Sequence, residues 1–389
     1  MPTLDADQGA SRIRWAESYM PVLRALRIQL EAEQPWAGKT IGICLHIEPK
    51  TAVMCGVLRA GGAALVLTGS PGTTQDDVVA ALRESGVVVY GCRADRVGDH
   101  AGNIRSVLTH RPHLLLDNGA SLVQMLLERP EPHNVIGGTE ETTTGANLLR
   151  EAMSGKVGFP VIVINDSPLK LIMENEHGVG PTVVSAFLST TNLMIPGKRF
   201  AVFGYGSVGR GIARSLHALH GRVTVVEPDP IRALEAALDG LRVAAADEAL
   251  AENQVLITAT GRPNAITADR IGLMADGTIL ANAGHYSWEI DLAGLRDSAV
   301  ATHRVNASAE EFTMRDGRRI TLLAGGEMLN LAAGGGNPVE TMDLGLALQV
   351  LSLRLISQRA AELPHGPQPV PMDINHQVAR AMLEALSHR

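Results

Sequence analysis

Residues 200–211 read Phe200-Ala-Val-Phe-Gly-Tyr-Gly-Ser-Val-Gly-Arg-Gly211, and an apolar run downstream ends Val225-Val-Glu-Pro-Asp229. The run Phe200 to Phe203 predicts a buried strand, and Val208 to His220 a helix that opens directly after it. Between them Gly204, Gly206 and Gly209 keep a G-x-G-x-x-G spacing. The first glycine allows a tight turn, the second lets a pyrophosphate reach the backbone, and the third lets helix and strand pack closely. Unpaired N–H groups and the positive end of the helix dipole then face the phosphates. Val223 to Val226 predicts the next strand, with Glu227 at its end, about 20 residues beyond the glycines. A carboxylate there accepts hydrogen bonds from a ribose 2′-hydroxyl and repels a 2′-phosphate, so the expected cofactor is NAD rather than NADP. The plainer reading is a glycine-rich turn without a ligand. Strand, glycines, helix, strand and acid in that order favour the dinucleotide.

The rest of the composition agrees with an enzyme of several domains. A chain of 389 residues exceeds one ordinary core, since domains run to about 100–200 residues. Apolar residues at 45% and charged ones at 19% describe a globular chain, not a disordered one. A net charge of −7 provides no basic face for nucleic acid, and 3% aromatics leave few platforms for stacking bases. The three cysteines, Cys44, Cys55 and Cys92, show no C-x-x-C spacing and read as lying in apolar or helical surroundings. Neither a disulfide framework nor a zinc site is expected, and no cluster has the spacing of metal ligands. There is no cationic-then-apolar leader and no apolar run near about 18 residues, so the expectation is a cytoplasmic protein without membrane contact.

Short apolar runs alternate with amphipathic stretches twice over. The first series reads as strand Thr40 to His46, helix Thr51 to Ala60, strand Ala64 to Thr68, helix Gln75 to Ser85 and strand Val87 to Tyr90. Leu114–Asp117, Asn134–Gly137 and Val161–Ile164 continue it. The second begins at Lys198 and runs through Val223–Val226, Val255–Thr258 and Thr278–Ala281. This alternation predicts an α/β fold of two Rossmann-like, doubly wound domains. The expected division is a substrate domain over 1–180, completed by about 338–389, and an NAD-binding domain over 181–337. A helical stretch from Gly180 to Met194 would serve as the hinge. Residues 332–338 are too rich in glycine for a regular element. The helix Val339 to Gln358 is expected to return to the first domain. Residues 361–371, rich in proline, read as a surface connection to a last helix, Met372 to Ser387.

Open α/β sheets place their sites at strand ends, and polar residues collect there: His46, Asp117-Asn118, Glu140 to Gly145, and Asn165-Asp166. Each has a plain reading by itself. Asp166 and Ser167 before Pro168 look like a helix cap with proline in the first turn. Lys170 and Glu174 are spaced like a solvated ion pair. Their joint appearance at strand ends favours a site.

The motifs together resemble the adenosylhomocysteinase (S-adenosylhomocysteine hydrolase) family over residues 13 to about 358. They are Ala16-Glu-x-x-Met-Pro21, Cys44-Leu-His46, Thr74-Gln-Asp76, Glu140-Glu-Thr-Thr-Thr-Gly145, Asn165-Asp-Ser167, Gly204-Tyr-Gly-x-Val-Gly209, Gly284-His285 with Glu289-Ile-Asp291, and Asn330-Leu-Ala332. The resemblance implies permanently bound NAD that oxidises a nucleoside 3′-hydroxyl. The ketone acidifies the C4′–H, and loss of that proton expels the 5′ substituent. Water then adds, and the hydride is returned. It further implies that Lys170 assists hydride transfer, that Glu141 binds the ribose hydroxyls, and that Asn175 and Asn165 order the helix and the nicotinamide. His46 and His285 fall near C4′ and C5′ as proton-transfer groups, a role suited to imidazole. Thr142, Thr143, Thr144, Asn175, Ser207, Val208, Glu227, Arg232, Thr260 and Asn330 join Gly204, Gly206 and Gly209 as expected NAD contacts.

Departures from the family concentrate where substrate would be touched. Glu48 and Lys50 stand where the family has Thr and a neutral or acidic contact to the adenine edge. Asn118 replaces an aspartate of the acid–base machinery, Glu174 an aspartate, Asn337 the histidine of a Gly-His-Pro loop, and Glu327 an arginine. His177-Gly-Val-Gly180 lacks the family's Tyr, Cys and Arg, and the Lys-Pro…His-Tyr-Arg-Tyr tail is not present. Glu48, Lys50, Asn118, Glu141, Lys170, Glu174, His285 and Asn337 are therefore the expected substrate residues, with Lys170, His46, His285, Glu141, Glu174 and Asn175 as the catalytic set. The expected activity is a nucleoside dehydratase or lyase, of the kind that forms angustmycin A in nucleoside-antibiotic biosynthesis. It would eliminate water with help from a proton donor among His46, His285, Glu48 and His177. The alternatives are hydrolysis of S-adenosylhomocysteine and an NAD-carrying homologue without turnover. A homo-oligomer, tetramer or dimer, is expected by resemblance.

Overall fold

The computed structural model describes residues 6–129, 131–285 and 287–387. The chain forms two compact units, Met1–Leu171 with Val339–Arg389, and Ile172–Pro338. The first is built on a seven-stranded parallel sheet. Its strands lie in the order Gly366–Pro369, Pro160–Val163, Gly137–Glu140, Leu114–Asp117, Thr40–Cys44, Ala64–Thr68 and Val88–Tyr90. The strand order reverses between Thr40–Cys44 and Leu114–Asp117, which opens a crevice at their carboxyl ends. Leu114, Leu115 and Leu116 are wholly buried there, as a central parallel strand covered on both faces requires.

The second unit repeats the plan. Its parallel strands run Arg242–Val243, Arg222–Val226, Arg199–Phe203, Val255–Thr258, Thr278–Asn282 and Arg319–Leu323, and Ala309–Met314 and Ala299–Asn306 add an antiparallel edge. The reversal here falls between Arg199–Phe203 and Val255–Thr258. Two apolar cores cover its faces, one around Phe187, Phe200, Val202 and Ile212, the other around Phe203, Leu256, Leu280 and Phe312.

Several boundaries differ from the sequence reading. The strand expected at Asn134–Gly137 is Gly137–Glu140. Its glycines are needed because a Cβ at Gly137 would lie 2.5 Å from Ile356 Cγ2, and one at Gly138 2.8 Å from the Leu115 carbonyl. The proline-rich connection holds a strand, Gly366–Pro369, on the sheet edge. The helix expected from Gly180 to Met194 ends at Thr191, and Leu171–Val179 before it is a π-helix. Cys44 and Cys55 are buried, but Cys92 is exposed and donates to Asp95, outside the apolar surroundings expected of it. Among the described residues no helix is long and apolar enough to cross a membrane.

The helices Gly180–Thr191 and Ser207–Ala218 touch backbone to backbone. A Cβ on Gly180 would lie 2.4 Å from the Gly211 carbonyl carbon, and one on Gly211 2.3 Å from the Glu176 carbonyl oxygen. Arg210 and Arg214 clamp the Glu176 carboxylate beside this crossing. Gly211→Ala must therefore push the helices apart, and overpacking of this kind costs about 1–3 kcal/mol. A lower denaturant midpoint with an unchanged slope is the expected result.

Candidate active site

In the first unit the crevice is flanked by His46, just beyond Thr40–Cys44, and Asn118, just beyond Leu114–Asp117. Two buried carboxylates fix this region. Asp117 accepts from the N–H groups of Asn118, Leu122 and Val123 at 3.0, 3.1 and 2.9 Å. Glu140, its neighbour in register, accepts from the N–H groups of Gly119, Ala120 and Thr142 at 3.0, 2.8 and 2.7 Å, and from Thr142 Oγ1 at 2.7 Å. Burial pushes both carboxyls up, and the charge of Asp117 adds to the effect on Glu140. The turn they hold includes Gly119 at φ +74° and Ala120 at φ +56°, the left-handed region that L side chains adopt only under constraint. Its product is one contact: Asn118 Nδ2 donates to Glu141 Oε2 at 3.1 Å.

The helix Thr143–Arg150 opens from the same turn, with Thr142 Oγ1 accepting from Gly145 N at 3.0 Å as its cap. Thr143 Oγ1 accepts from Asn165 Nδ2 at 2.8 Å, and Asn165 Oδ1 accepts from Lys170 Nζ at 3.3 Å. Ser167 caps the short helix Pro168–Lys170, which places the buried Lys170 at the strand end. Asn118 thus contacts Glu141, and Thr143, Asn165 and Lys170 form a second chain of contacts that starts one turn further on.

His46 is partly buried, with Nδ1 2.8 Å from Thr73 Oγ1. Thr73 Oγ1 also donates to the Ser70 carbonyl at 3.2 Å. One hydroxyl hydrogen cannot serve both, which assigns the donor role to His46 Nδ1–H and leaves the lone pair on Nε2. Burial, then the charges of His100 and Lys50, push the imidazole down to about 4. Glu48 and Lys50 form a buried ion pair at 2.9 Å. A charged pair of this kind is costly to bury without further partners.

In the second unit the glycine turn has the anticipated form. Gly204 lies at φ +95°, and a Cβ on it would strike the Ala259 carbonyl oxygen at 2.7 Å. A Cβ on Gly209 would strike the Gly204 carbonyl at 2.0 Å, so the helix sits directly on the turn. A Cβ on Gly206 would meet only Arg232 Nη1, at 3.8 Å, which leaves its backbone open to a ligand. Glu227 Oε2 accepts from Tyr205 N at 2.6 Å and its Oε1 from Asp229 N at 3.0 Å. Across the switch point the buried Glu289 accepts from the N–H groups of Thr260 and Gly261, both at 2.8 Å. Asn282 ties down the residues directly before His285 and Glu327 by donating to the Gly284 and Gly326 carbonyls at 3.1 and 2.9 Å.

Asn330 Nδ2 donates to Thr182 Oγ1 and Asn337 Oδ1, and Asn337 Nδ2 to Glu174 Oε1. Asn330 Oδ1 is buried and accepts no hydrogen bond among the described residues. A carboxamide donor such as that of nicotinamide would satisfy it. The open glycine, the acid and this acceptor all suit NAD. Asn175 is buried and His285 partly so. Among the described residues no group of three or more His, Cys, Asp or Glu side chains is placed to hold a metal ion.

Four residues hold the site rather than face it: Thr73, which sequence reasoning did not name, and Asp117, Glu140 and Glu289, which it named at strand ends or in motifs without giving them this role. Glu140 and Glu289 lie within quoted motifs, and Thr73 directly precedes one. Nothing in spacing distinguishes a carboxylate that accepts backbone N–H groups from one that meets a ligand.

Glycine turn, acid and parallel sheet define an NAD-binding enzyme of the doubly wound α/β class. Residues 175–336 match the NAD-binding domain of S-adenosyl-L-homocysteine hydrolase, and residues 3–135 match S-adenosyl-L-homocysteine hydrolase. The chain is 43% identical over 386 residues to the S-inosyl-L-homocysteine hydrolase of Methanopyrus kandleri, covering 98% of this chain and 91% of that one. It is 42% identical over 383 residues to the adenosylhomocysteinase of Sulfolobus acidocaldarius, covering 98% and 92%. Among solved structures, the 3-phosphoglycerate dehydrogenase of Entamoeba histolytica aligns with a TM-score of 0.46 at 12% identity, over 82% of this chain and 96% of that one. The chain belongs to the S-adenosyl-L-homocysteine hydrolase family, and its cofactor is NAD.

The buried groups make stability depend on pH and on acceptor chemistry. His46, whose folded-state value lies below the ordinary imidazole value, contributes stability that is present above pH 6.5 and lost as pH falls toward about 4. Denaturant titrations across that range should show wild type losing stability relative to His46→Gln, with a limiting slope of about 1.4 kcal/mol per pH unit. Glu140→Gln turns an amide N–H2 toward backbone N–H donors, so a loss of about 1–3 kcal/mol is expected in thermal unfolding.

Proposed function

We propose that this protein binds a nucleoside and carries its sugar through a redox-neutral elimination, with water as the leaving group. Bound NAD supplies the two-electron acceptor for the sugar carbinol and returns those electrons at the end. Glu141, steadied by Asn118, holds the sugar hydroxyls, and Lys170, positioned by Asn165, takes the proton of the hydroxyl being oxidised. The ketone acidifies the neighbouring C–H enough for a side-chain base. His46 is that base: its low pKa keeps it neutral near pH 7, with the lone pair on Nε2. The carbon–oxygen bond at the terminal carbon then breaks as the new double bond forms, and the departing hydroxyl takes up a proton. Restoring the carbinol leaves a product lighter by one water and carrying an exocyclic alkene.

The observation that carries water over a thiol is Glu327. It stands where the family resemblance places an arginine, and it is partly buried. A carboxyl there provides no cation to pair with the carboxylate of a homocysteine tail. Burial also pushes Glu327 up, toward the protonated form that a departing hydroxide needs. A second reading, hydrolysis of an S-nucleosylhomocysteine, is favoured by the names of the two relatives, each more than 40% identical.

Incubation of NAD-loaded protein with a panel of nucleosides separates the two. The proposal expects a product lighter by one water, no net reduction of NAD, and loss of at least about a hundredfold in turnover for Lys170→Met. Efficient release of free thiol from S-adenosyl- or S-inosylhomocysteine would overturn it in favour of the hydrolase.

A further inference from the structure

Asn118 combines a satisfied donor with an unsatisfied acceptor. Nδ2 donates to Glu141 Oε2 at 3.1 Å. A carboxylate offers no hydrogen in return, so this contact fixes which end of the amide faces Glu141 and aims Oδ1 away from it. Oδ1 is buried, in a residue only 4% exposed, and accepts no hydrogen bond among the described residues. The amide cannot easily turn out to water, because its backbone is held. Asn118 N donates to Asp117, and the N–H groups of Gly119 and Ala120 donate to Glu140. A buried acceptor without a donor is unfavourable in the free protein, and a ligand hydroxyl relieves it.

We propose that Asn118 Oδ1 accepts a hydrogen bond from the terminal hydroxyl of the nucleoside sugar, and so selects substrates whose leaving group is a hydroxyl. The inference rests on the reading of this chain as a nucleoside-processing enzyme and deepens it. A nucleoside sugar carries a vicinal diol and one further hydroxyl, on the terminal carbon. Glu141 serves the diol, which leaves the terminal hydroxyl for its neighbour. A thioether at that carbon has no hydrogen to donate and leaves Oδ1 orphaned. An aspartate at this position would instead set two carboxylates side by side at about 3 Å, where both cannot remain ionised. The asparagine avoids that repulsion and offers a neutral oxygen to the leaving group.

The test is equilibrium binding of adenosine, 5′-deoxyadenosine, 5′-methylthioadenosine and 2′-deoxyadenosine to NAD-loaded wild type, Asn118→Leu and Asn118→Asp. Wild type should bind the 5′-deoxy and 5′-methylthio compounds about tenfold or more weakly than adenosine. Asn118→Leu should bind these three within about twofold of one another, while losing as much as wild type on removal of the 2′-hydroxyl. Asn118→Asp restores the acid that the family carries with thioether substrates and should bind the 5′-methylthio compound closer to adenosine than wild type does, which guards against a leucine variant that fails to fold. Equal preference for the 5′-hydroxyl in wild type and Asn118→Leu, or none in wild type, overturns the assignment to Asn118 alone. Failure of wild type to bind any nucleoside overturns the functional reading along with it.

Discussion

Two carboxylates at the ends of adjacent parallel strands, Asp117 and Glu140, govern the site of the first unit. Neither meets bulk water, and both are anchored by backbone N–H groups from the turn that follows Leu114–Asp117. Parallel strands end with several N–H groups that nothing in the sheet can accept, and orphaned donors are costly when buried. The carboxylates meet that need and force the chain through two consecutive left-handed residues, Gly119 and Ala120. Only with the turn so bent do Asn118 and Glu141 lie in hydrogen-bond contact.

The second unit solves the same problem with one acid. Glu289 accepts the N–H groups of Thr260 and Gly261 beside the glycine turn, much as Glu140 does for Gly119 and Ala120. In both sheets the strand order reverses at this place, so the loops on either side diverge and leave a crevice. A buried glutamate therefore stiffens one lip of each crevice. Asn118 and Thr260 lie in turns whose backbones are held in this way.

Much of this was legible in the sequence, because alternating apolar runs and helices specify a parallel sheet and the glycine spacing specifies its turn. The central strands Ala64–Thr68, Leu114–Asp117 and Val255–Thr258 fall where their hydrophobic runs predict. Gly366–Pro369 escapes that pattern because Pro367 and Pro369 have no N–H to donate, a defect tolerable only on an edge with one neighbour. Gly137–Glu140 lies three residues beyond its expected start, since two glycines carry no hydrophobic signal and are required by backbone packing instead. Ala299–Asn306 is almost wholly exposed, so no burial pattern marks it. At the site, residue types at strand ends single out Asn118, Glu141, Asn165 and Lys170 as expected ligand contacts. The supporting carboxylates and the unsatisfied oxygen of Asn118 emerge only from the folded backbone.

The helix Pro21–Glu33 begins with N–H groups that its own turn cannot satisfy, and Asp343 accepts two of them, from Val22 and Leu23, both at 2.8 Å. Partner and helix stand more than three hundred residues apart along the chain, with the whole of the second unit spelled out between them. On the ribosome the second unit, being contiguous, can close as soon as it emerges. The earlier-made half has to wait with an uncapped helix and an unfinished sheet edge. Synthesis order and folding order are thus inverted, and the half born first is the one completed last.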